Sequence, residues 1–401
     1  MKNLIIYLLI SIALTISCNQ EKKERSSTIE MDFIVKSFQV AGQHLTSAIN
    51  QYQDLTKFPR STNTDGSLIE VPPRNWVSGF FPGSLWLMYE YSNDEKYKNA
   101  AIKWTEALEE VQYNTGTHDV GFIINCSYGN GLRLTENDSY KPVLIQAAKS
   151  LSTRYNEKVG CTKSWDWSKV WQFPVIIDNM MNMELLFEAS KLSEDESFKN
   201  IAIDHANTTL GNHYRPDHSA FHVVDYDPET GDVLEKVTHQ GYNAESDWAR
   251  GQAWGLYGYT LFYRETRDKA YLSHAENIAR FLINHDNTPE DLIPYWDYDA
   301  PGIPNEPRDA SAAAIIASAL LELSTYSTDH SQHFLTHAEK ILNSLASDQY
   351  LAKPGTNNNF ILKHCTGNKP SDSEVDAPLV YGDYYFLEAL LRYKKMKDSP
   401  A

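Results

Sequence analysis

Apolar and polar positions alternate along this chain on two scales. Within short windows, an aromatic residue follows a turn rich in Ser, Asn, Asp or Thr, and an Ala stands four places later: Tyr97/Ala101, Phe198/Ala202, Tyr271/Ala275 and Phe334/Ala338. Positions i and i+4 share one helical face and the turn supplies an N-cap, so each predicts an amphipathic helix. Each is preceded by a stretch richer in apolar, aromatic and small residues: Gly79–Tyr91, Pro174–Ser190, Trp248–Thr266 and Ala310–Tyr326. The longer repeat is a helical hairpin, one buried helix followed by one half-buried helix. Two less regular pairs, Val120–Gly129 with Asp138–Tyr155 and Tyr384–Lys395 with Met31–Tyr52, bring the number to six. The sixth closes only if the first helix packs beside the last. The pattern therefore predicts an all-α toroid of six hairpins, an (α/α)6 barrel. An open solenoid is the alternative, but neither end carries the polar face of a capping repeat. One strand pair is predicted outside the helices, from Val223 to Val233 with its turn at Glu229–Asp232.

The chain begins outside this pattern. Lys2 and the apolar run Leu4–Ile16 are too short for a membrane span and have the form of a secretion signal over residues 1–17. Leu14-Thr15-Ile16-Ser17-Cys18 resembles a lipoprotein cleavage site, which makes Cys18 a lipidation candidate, and residues 18–30 a polar tether. The catalytic domain is then 31–396. The expected location is the periplasm or cell surface, anchored by lipid, in the outer membrane; plain secretion with Cys18 incidental is the alternative. Cys126, Cys161 and Cys365 remain, without CxxC spacing, so at most one disulfide can form and a metal centre is not expected.

Composition bears on the partner. The 401 residues are 42% hydrophobic with a net charge of −17, and no Lys/Arg run is long enough to follow a phosphate backbone, which argues against nucleic acid.

The candidate chemistry starts with two aspartates in apolar runs, Asp119 in His118-Asp119-Val-Gly-Phe and Asp178 in Val175-Ile-Ile-Asp178-Asn-Met-Met. An acid in such a run is costly to desolvate unless paired or protonated. Two of them sharing a pocket predict that repulsion and burial raise the pKa of one, as a general acid near neutral pH requires. A second cluster is Thr238-His239-Gln240-Gly241 followed by Trp248-Ala-Arg250-Gly-Gln-Ala-Trp254. Asp247, Arg250 and Trp254 would share a helix face, either to grip a ring-bearing carboxylate or as an Arg250–Asp247 pair inside the packing; the small residues nearby favour the first. His118, His222 and His239 have no HExxH spacing. Trp76 and Trp165 lie in loops and are candidates for stacking on a sugar, whereas Trp167, Trp171 and Trp296 read as core.

Six motifs in order, Trp76-Val-Ser-Gly-Phe-Phe-Pro-Gly, His118-Asp119-Val-Gly-Phe, Ile177-Asp178-Asn-Met-Met-Asn, Thr238-His239-Gln240-Gly, Trp248-Ala-Arg250-Gly-Gln-Ala-Trp254 and Tyr381-Gly-Asp-Tyr-Tyr-Phe-Leu-Glu-Ala-Leu, resemble glycoside hydrolase family 88, the unsaturated glucuronyl hydrolases. The resemblance implies an (α/α)6 barrel and no cofactor. The substrate it implies is an oligosaccharide from an upstream polysaccharide lyase, of a glycosaminoglycan or of ulvan, with a 4,5-unsaturated uronate at its non-reducing end. It also implies hydration of the C4=C5 enol ether, with Asp178 as proton donor and then base, and Asp119 as the second carboxylate that keeps Asp178 protonated. His118, His222, His239, Gln240, Arg250 and Trp254 are implied to hold the uronate, and Trp76 and Trp165 to stack. In related enzymes the segment before the last inner helix helps select sulfated sugars. Here it is Lys363–Lys369, whose two lysines either meet a sulfate or are solvated. The alternatives are an unsaturated rhamnogalacturonyl hydrolase and a sugar-binding lipoprotein without catalysis.

Overall fold

The computed structural model describes residues 33–398. The expected secretion signal, Cys18 and the expected tether lie outside the described residues, as do the first two residues of the expected catalytic domain.

The described residues open with helix α1 (33–51). A short hairpin, β1 (Phe58–Thr62) and β2 (Leu68–Val71), leads to α2 (Phe80–Ser92) and α3 (Glu95–Glu106). The next inner helix is broken into α4 (Val120–Ile124), a π turn (Asn125–Gly129) and α5 (Asn130–Thr135), and it returns as α6 (Lys141–Ser152). Strand β3 (Phe173–Ile176) precedes the third inner helix, α7 (Asn179–Asn182) with α8 (Glu184–Ser193), and its outer partner α9 (Glu196–Asn212). After β4 (Val223–Tyr226) and β5 (Val233–Val237) come the pairs α10 (Ala249–Thr266) with α11 (Lys269–Asn284) and α12 (Ala310–Ser324) with α13 (Ser331–Leu345). A last hairpin, β6 (Cys365–Asn368) and β7 (Ser373–Ala377), leads to α14 (Val380–Asp398).

Inner helices α2, α4–α5, α7–α8, α10, α12 and α14 contact one another in sequence, and α14 returns to α2. Helix α1 completes the outer ring. Phe33 stacks on Tyr393 of α14 and Phe38 on Tyr91, while the Tyr97 hydroxyl of α3 donates to the Gly42 carbonyl at 2.9 Å. The toroid of six hairpins predicted from the repeat is the fold.

A three-residue turn makes the hairpins tight. In Ser92-Asn93-Asp94, Ser193-Glu194-Asp195 and Thr266-Arg267-Asp268, the Ser or Thr hydroxyl donates back to the carbonyl four residues earlier, at 2.7, 2.6 and 2.7 Å. The middle residue is left-handed, with φ 54°, 58° and 61°. The Asp then caps the outer helix by accepting a backbone N–H at 3.0, 2.9 and 2.9 Å. The left-handed residue's own N–H closes the inner helix, Asn93 to the Tyr89 carbonyl at 2.8 Å and Arg267 to the Tyr263 carbonyl at 2.9 Å, and the Asp side chain satisfies the outer helix N-terminus within the same turn. Helix α13 departs from the pattern, since His330 at its N-cap makes no side-chain cap bond.

Helix α12 lacks a polar face because it is enclosed on all sides; nearly every residue from Ala310 to Ser324 is buried. Outer helices bury one stripe, as in Phe334, Ala338, Ile341, Leu342 and Leu345 of α13. Inner helices approach one another closely at the starts of α2 and α4. A Cβ on Gly79 would lie 2.3 Å from the Ile123 carbonyl of α4, and one on Gly121 would lie 2.5 Å from the Asn182 carbonyl of α7.

Two expectations need correction. Pro174–Ser190 is not one helix: residues 173–176 form β3, which pairs antiparallel with β4 (Phe173 opposite Tyr226, Ile176 opposite Val223), and β4 in turn pairs with β5. Asp247 is not on α10. The helix starts at Ala249, with Trp248 at its N-cap in an extended conformation (ψ 114°). The three remaining cysteines are all buried and free.

Candidate active site

The three-stranded sheet sits over one mouth of the ring, and its strand ends deliver the site. Asp178 follows β3 by two residues, His222 immediately precedes β4, and Thr238-His239-Gln240 immediately follows β5. Asp119 and Asp178 occupy the N-cap positions of neighbouring inner helices α4 and α7, yet neither side chain caps its helix. Both carboxyls line a cavity of about 220 Å³.

Asp178 is largely enclosed, its side chain 13% exposed. Burial drives its pKa up to about 7; the Arg250 guanidinium opposes that rise, and Asp119 adds a smaller push. Desolvation, more than the neighbouring carboxylate, thus keeps Asp178 protonated near neutral pH, which revises the weight given to Asp119. The Asp178 Oδ1 has no hydrogen-bond partner among the described residues. Asp119 is held differently: its Oδ2 accepts from Thr117 Oγ1 at 2.8 Å, and His118 Nε2 stands 3.3 Å from its Oδ1. Burial pushes the His118 pKa down, so that ring is neutral at pH 7.

Trp76, His118, Trp165, His239, Gln240 and Arg250 border the same cavity as the two acids. The aromatic rim is built from Trp165, Trp167 and His239, with ring centroids 5.0 to 5.3 Å apart. Trp167, 58% exposed, belongs to this rim rather than to the core. Trp171 packs behind Trp165 at 5.8 Å. Trp296 is buried elsewhere, its Nε1–H donating to Glu306 at 2.9 Å.

Arg250 pairs with Asp309, not with Asp247. Its Nη1 donates to Asp309 Oδ2 at 2.9 Å and to the Thr366 carbonyl at 2.5 Å, and its Nη2 donates to the Gly367 carbonyl at 2.6 Å. Five donors minus these three leaves Nε–H and one Nη2–H for a ligand. Gln240 Nε2 also donates to Gly367, at 3.1 Å, so β6 is tied to both substrate-side donors. The small residues of α10 serve packing: a Cβ on Gly251 would meet the Trp248 ring at 2.7 Å, and one on Gly255 would meet Tyr214 at 2.4 Å.

Trp254 and His222 do not line the cavity. Trp254 is fully buried, tilted against Phe122 and edge-on to Tyr385 at 5.3 Å each. Its indole N–H lacks a partner in good geometry, but it lies near enough to favour the charged form of Asp178. His222 lies behind Asp178, with Nε2 3.9 Å from Oδ1.

Sequence reading missed Arg60 and Glu374, which also line the cavity. Their bidentate pair, 2.6 and 2.7 Å, joins β1 to β7. The two lysines of the 363–369 segment do not reach the cavity wall, which takes Gly367 and Asn368 instead. Lys363 Nζ donates to the Asp348 carbonyl at 2.9 Å.

Asp247, His285 and Asp299 also converge, with potential ligand atoms all within 4.8 Å of one another. His285 Nδ1 accepts the Asn287 N–H at 3.1 Å, so Nε2 carries the proton, and Arg215 Nη1 donates to Asp247 at 3.0 Å. A protonated Nε2 and an adjacent guanidinium suit a hydrogen-bonded brace better than a cation.

The other mouth of the ring holds a larger cavity, about 470 Å³, walled by paired charges. Arg264 bonds Glu184 and Glu322, and Arg392 reaches Glu322 at 2.8 Å and Glu388 at 3.6 Å. Between the two cavities runs an aromatic column. Trp76 meets Tyr381 at 4.8 Å, Phe122 meets Phe80 at 5.4 Å and Trp254 at 5.3 Å, and Tyr385 meets Trp254 at 5.3 Å and Tyr384 at 5.1 Å.

With that geometry in place, likeness to known proteins is informative. The profile described as Glycosyl Hydrolase Family 88 matches residues 48–397. An unsaturated glucuronyl hydrolase of Formosa agariphila is 47% identical over 98% of this chain and 98% of its own. A crystal structure of an unsaturated glucuronyl hydrolase specific for heparin superposes with a TM-score of 0.90 at 50% identity, over 92% of this chain and 98% of that one. A mutant of the Streptococcus agalactiae enzyme, solved in complex with dGlcA-GalNAc6S, gives a TM-score of 0.77 at 31% identity, over 90% and 92%.

Proposed function

The chain belongs to Glycosyl Hydrolase Family 88 and is a glycosidase, and from that membership we propose how its cavity removes a 4,5-unsaturated uronate from the non-reducing end of lyase products. The observation that carries the reading is Asp178, a carboxyl kept protonated near neutral pH in a small cavity shared with a second acid. The substrate's C4=C5 bond is an enol ether, and such a bond accepts a proton on carbon. Asp178 gives its proton to C4, and positive charge develops at C5 and the ring oxygen, where the carboxylate of Asp119 stabilises it. Water adds at C5 and returns a proton to Asp178. The resulting hemiketal opens, and the remaining sugar leaves with its hydroxyl restored.

The free donors of Arg250 and the Gln240 side chain face the uronate carboxylate, and Trp76 and Trp165 stack on the sugar faces. Because the chemistry avoids the anomeric carbon, the separation of the two acids says nothing about retention or inversion.

The test follows loss of the ultraviolet absorbance of the conjugated uronate on unsaturated disaccharides from heparin, chondroitin, hyaluronan and ulvan, each with and without sulfate where it exists. Turnover is expected on at least one glycosaminoglycan product. Flat absorbance on all of them would sink the hydrolase reading. Export and lipidation at Cys18 are part of the proposal, supported by the apolar run that ends just before that cysteine. Metabolic labelling with a radioactive fatty acid should mark the wild-type chain and not Cys18→Ser; equal labelling of the two would refute the anchor.

A further inference from the structure

His222 is engaged on one edge and open on the other. Its Nδ1 accepts the backbone N–H of His239 at 3.1 Å and of Gln240 at 3.2 Å. A nitrogen that accepts two N–H groups carries no proton, so a neutral ring holds its proton on Nε2. That Nε2 has no hydrogen-bond partner among the described residues, and neither does Asp178 Oδ1, 3.9 Å away. Two buried polar atoms of complementary kind face each other across one gap, and each is costly to leave unpaired.

We propose that His222 is a positioning residue with two duties: its Nδ1 clamps the strip bearing His239 and Gln240, and its Nε2–H closes onto Asp178 when that carboxyl becomes a carboxylate during turnover. The proposal rests on Asp178 as the proton donor. While Asp178 is protonated, the gap stays at its resting width. Once the proton has passed to C4, the new carboxylate is a stronger acceptor and the N–H moves in, as catalytic hydrogen bonds often tighten only along the reaction. His222 remains a neutral donor throughout. Burial and the adjacent His239, Arg250 and His213 all disfavour its charged form, and the groups facing it are those three, Asp178 and the rings of Trp248 and Trp165.

Two amide substitutions separate the duties. His222→Asn places an amide oxygen near the position of Nδ1 and deletes the donor; His222→Gln places an amide N–H near the position of Nε2 and deletes the acceptor. His222→Asn should keep KM within about twofold of wild type, lower kcat by about tenfold, and move the basic limb of the pH profile upward by up to about one pH unit, because the carboxylate has lost a donor. His222→Gln should leave that limb in place and raise KM, with faster hydrogen exchange at the amides of His239 and Gln240. Changes in KM alone for both variants, with the limb unmoved in each, would overturn the proposal. The nitrogen-15 shifts of His222 in the resting wild-type protein provide a readout that needs no turnover. A protonated Nδ1 there would overturn the clamp even if the assigned reaction stands, and a protonated Nε2 would uphold it even if the substrate panel fails.

Discussion

Asp178→Asn is expected to lower kcat by about 10²- to 10⁴-fold, the usual contribution of a positioned proton donor, while KM changes little because the amide keeps the shape of the carboxyl. The same substitution should stabilise the fold at alkaline pH. The pKa of Asp178 is about 7 in the folded chain and near 3.8 when unfolded. The folded state therefore binds the extra proton between those values, and this residue's contribution to stability falls as pH rises through that window. Above pH 7 the buried carboxylate carries the full penalty, on the order of a few kcal/mol. Asn has no such titration, so the difference in melting temperature between variant and wild type should grow from pH 4 to pH 8 and then level. In the wild type, kcat/KM should fall above pH 7 as the acid is lost. An unchanged kcat in the variant would remove Asp178 from the acid role, and a pH-independent stability difference would contradict its burial-driven shift.

Arg250→Met should produce the largest loss of stability of the variants considered, on the order of 3–5 kcal/mol, since it strips one partner from a buried ion pair. Asp309, fully buried, would lose its counter-ion. The Thr366 carbonyl would also lose its Arg250 donor, and the Gly367 carbonyl would lose one of two, keeping Gln240 Nε2. Asp309 is in addition the N-cap of α12, accepting the N–H of Ser311 at 3.0 Å and of Ala312 at 3.3 Å, so one substitution disturbs a helix start and the β6 strand together. Denaturant unfolding should show the loss, and Arg250→Met/Asp309→Asn should recover part of it by removing the stranded carboxyl. Residual activity should have a basic limb above that of wild type, because Arg250 holds the Asp178 pKa down. A loss below about 1 kcal/mol would mean that the pair is not the brace described.

What was readable in the sequence follows from range. The Ser/Thr-x-Asp turn is complete within three residues and its bonds are local, so the hairpins and the ring could be read directly. Strand β3 was misread because Phe173-Pro-Val-Ile-Ile is a short apolar run, in which periodicity cannot separate strand from buried helix. Arg250 had two carboxylates as possible partners; the nearer in sequence, Asp247, lies before the helix and is taken by Arg215, while Asp309 arrives from the next hairpin. Arg60 and Glu374 are 314 residues apart, and no local signal links them. The two acids could be found because an acid in an apolar run is conspicuous, but the dominance of burial over their mutual repulsion needed the cavity itself.

The aromatic column has a consequence for which bonds the enzyme can reach. With Phe80, Trp254 and Tyr385 filling the axis between the two mouths, the catalytic cavity is a blind end. A polysaccharide cannot thread through it. Only a chain terminus can be inserted, so cleavage is exo by construction, one residue per encounter. The water for hydration, which also restores the Asp178 proton, must arrive from the same side as the sugar, and the released uronate must leave by that opening before the next chain end enters.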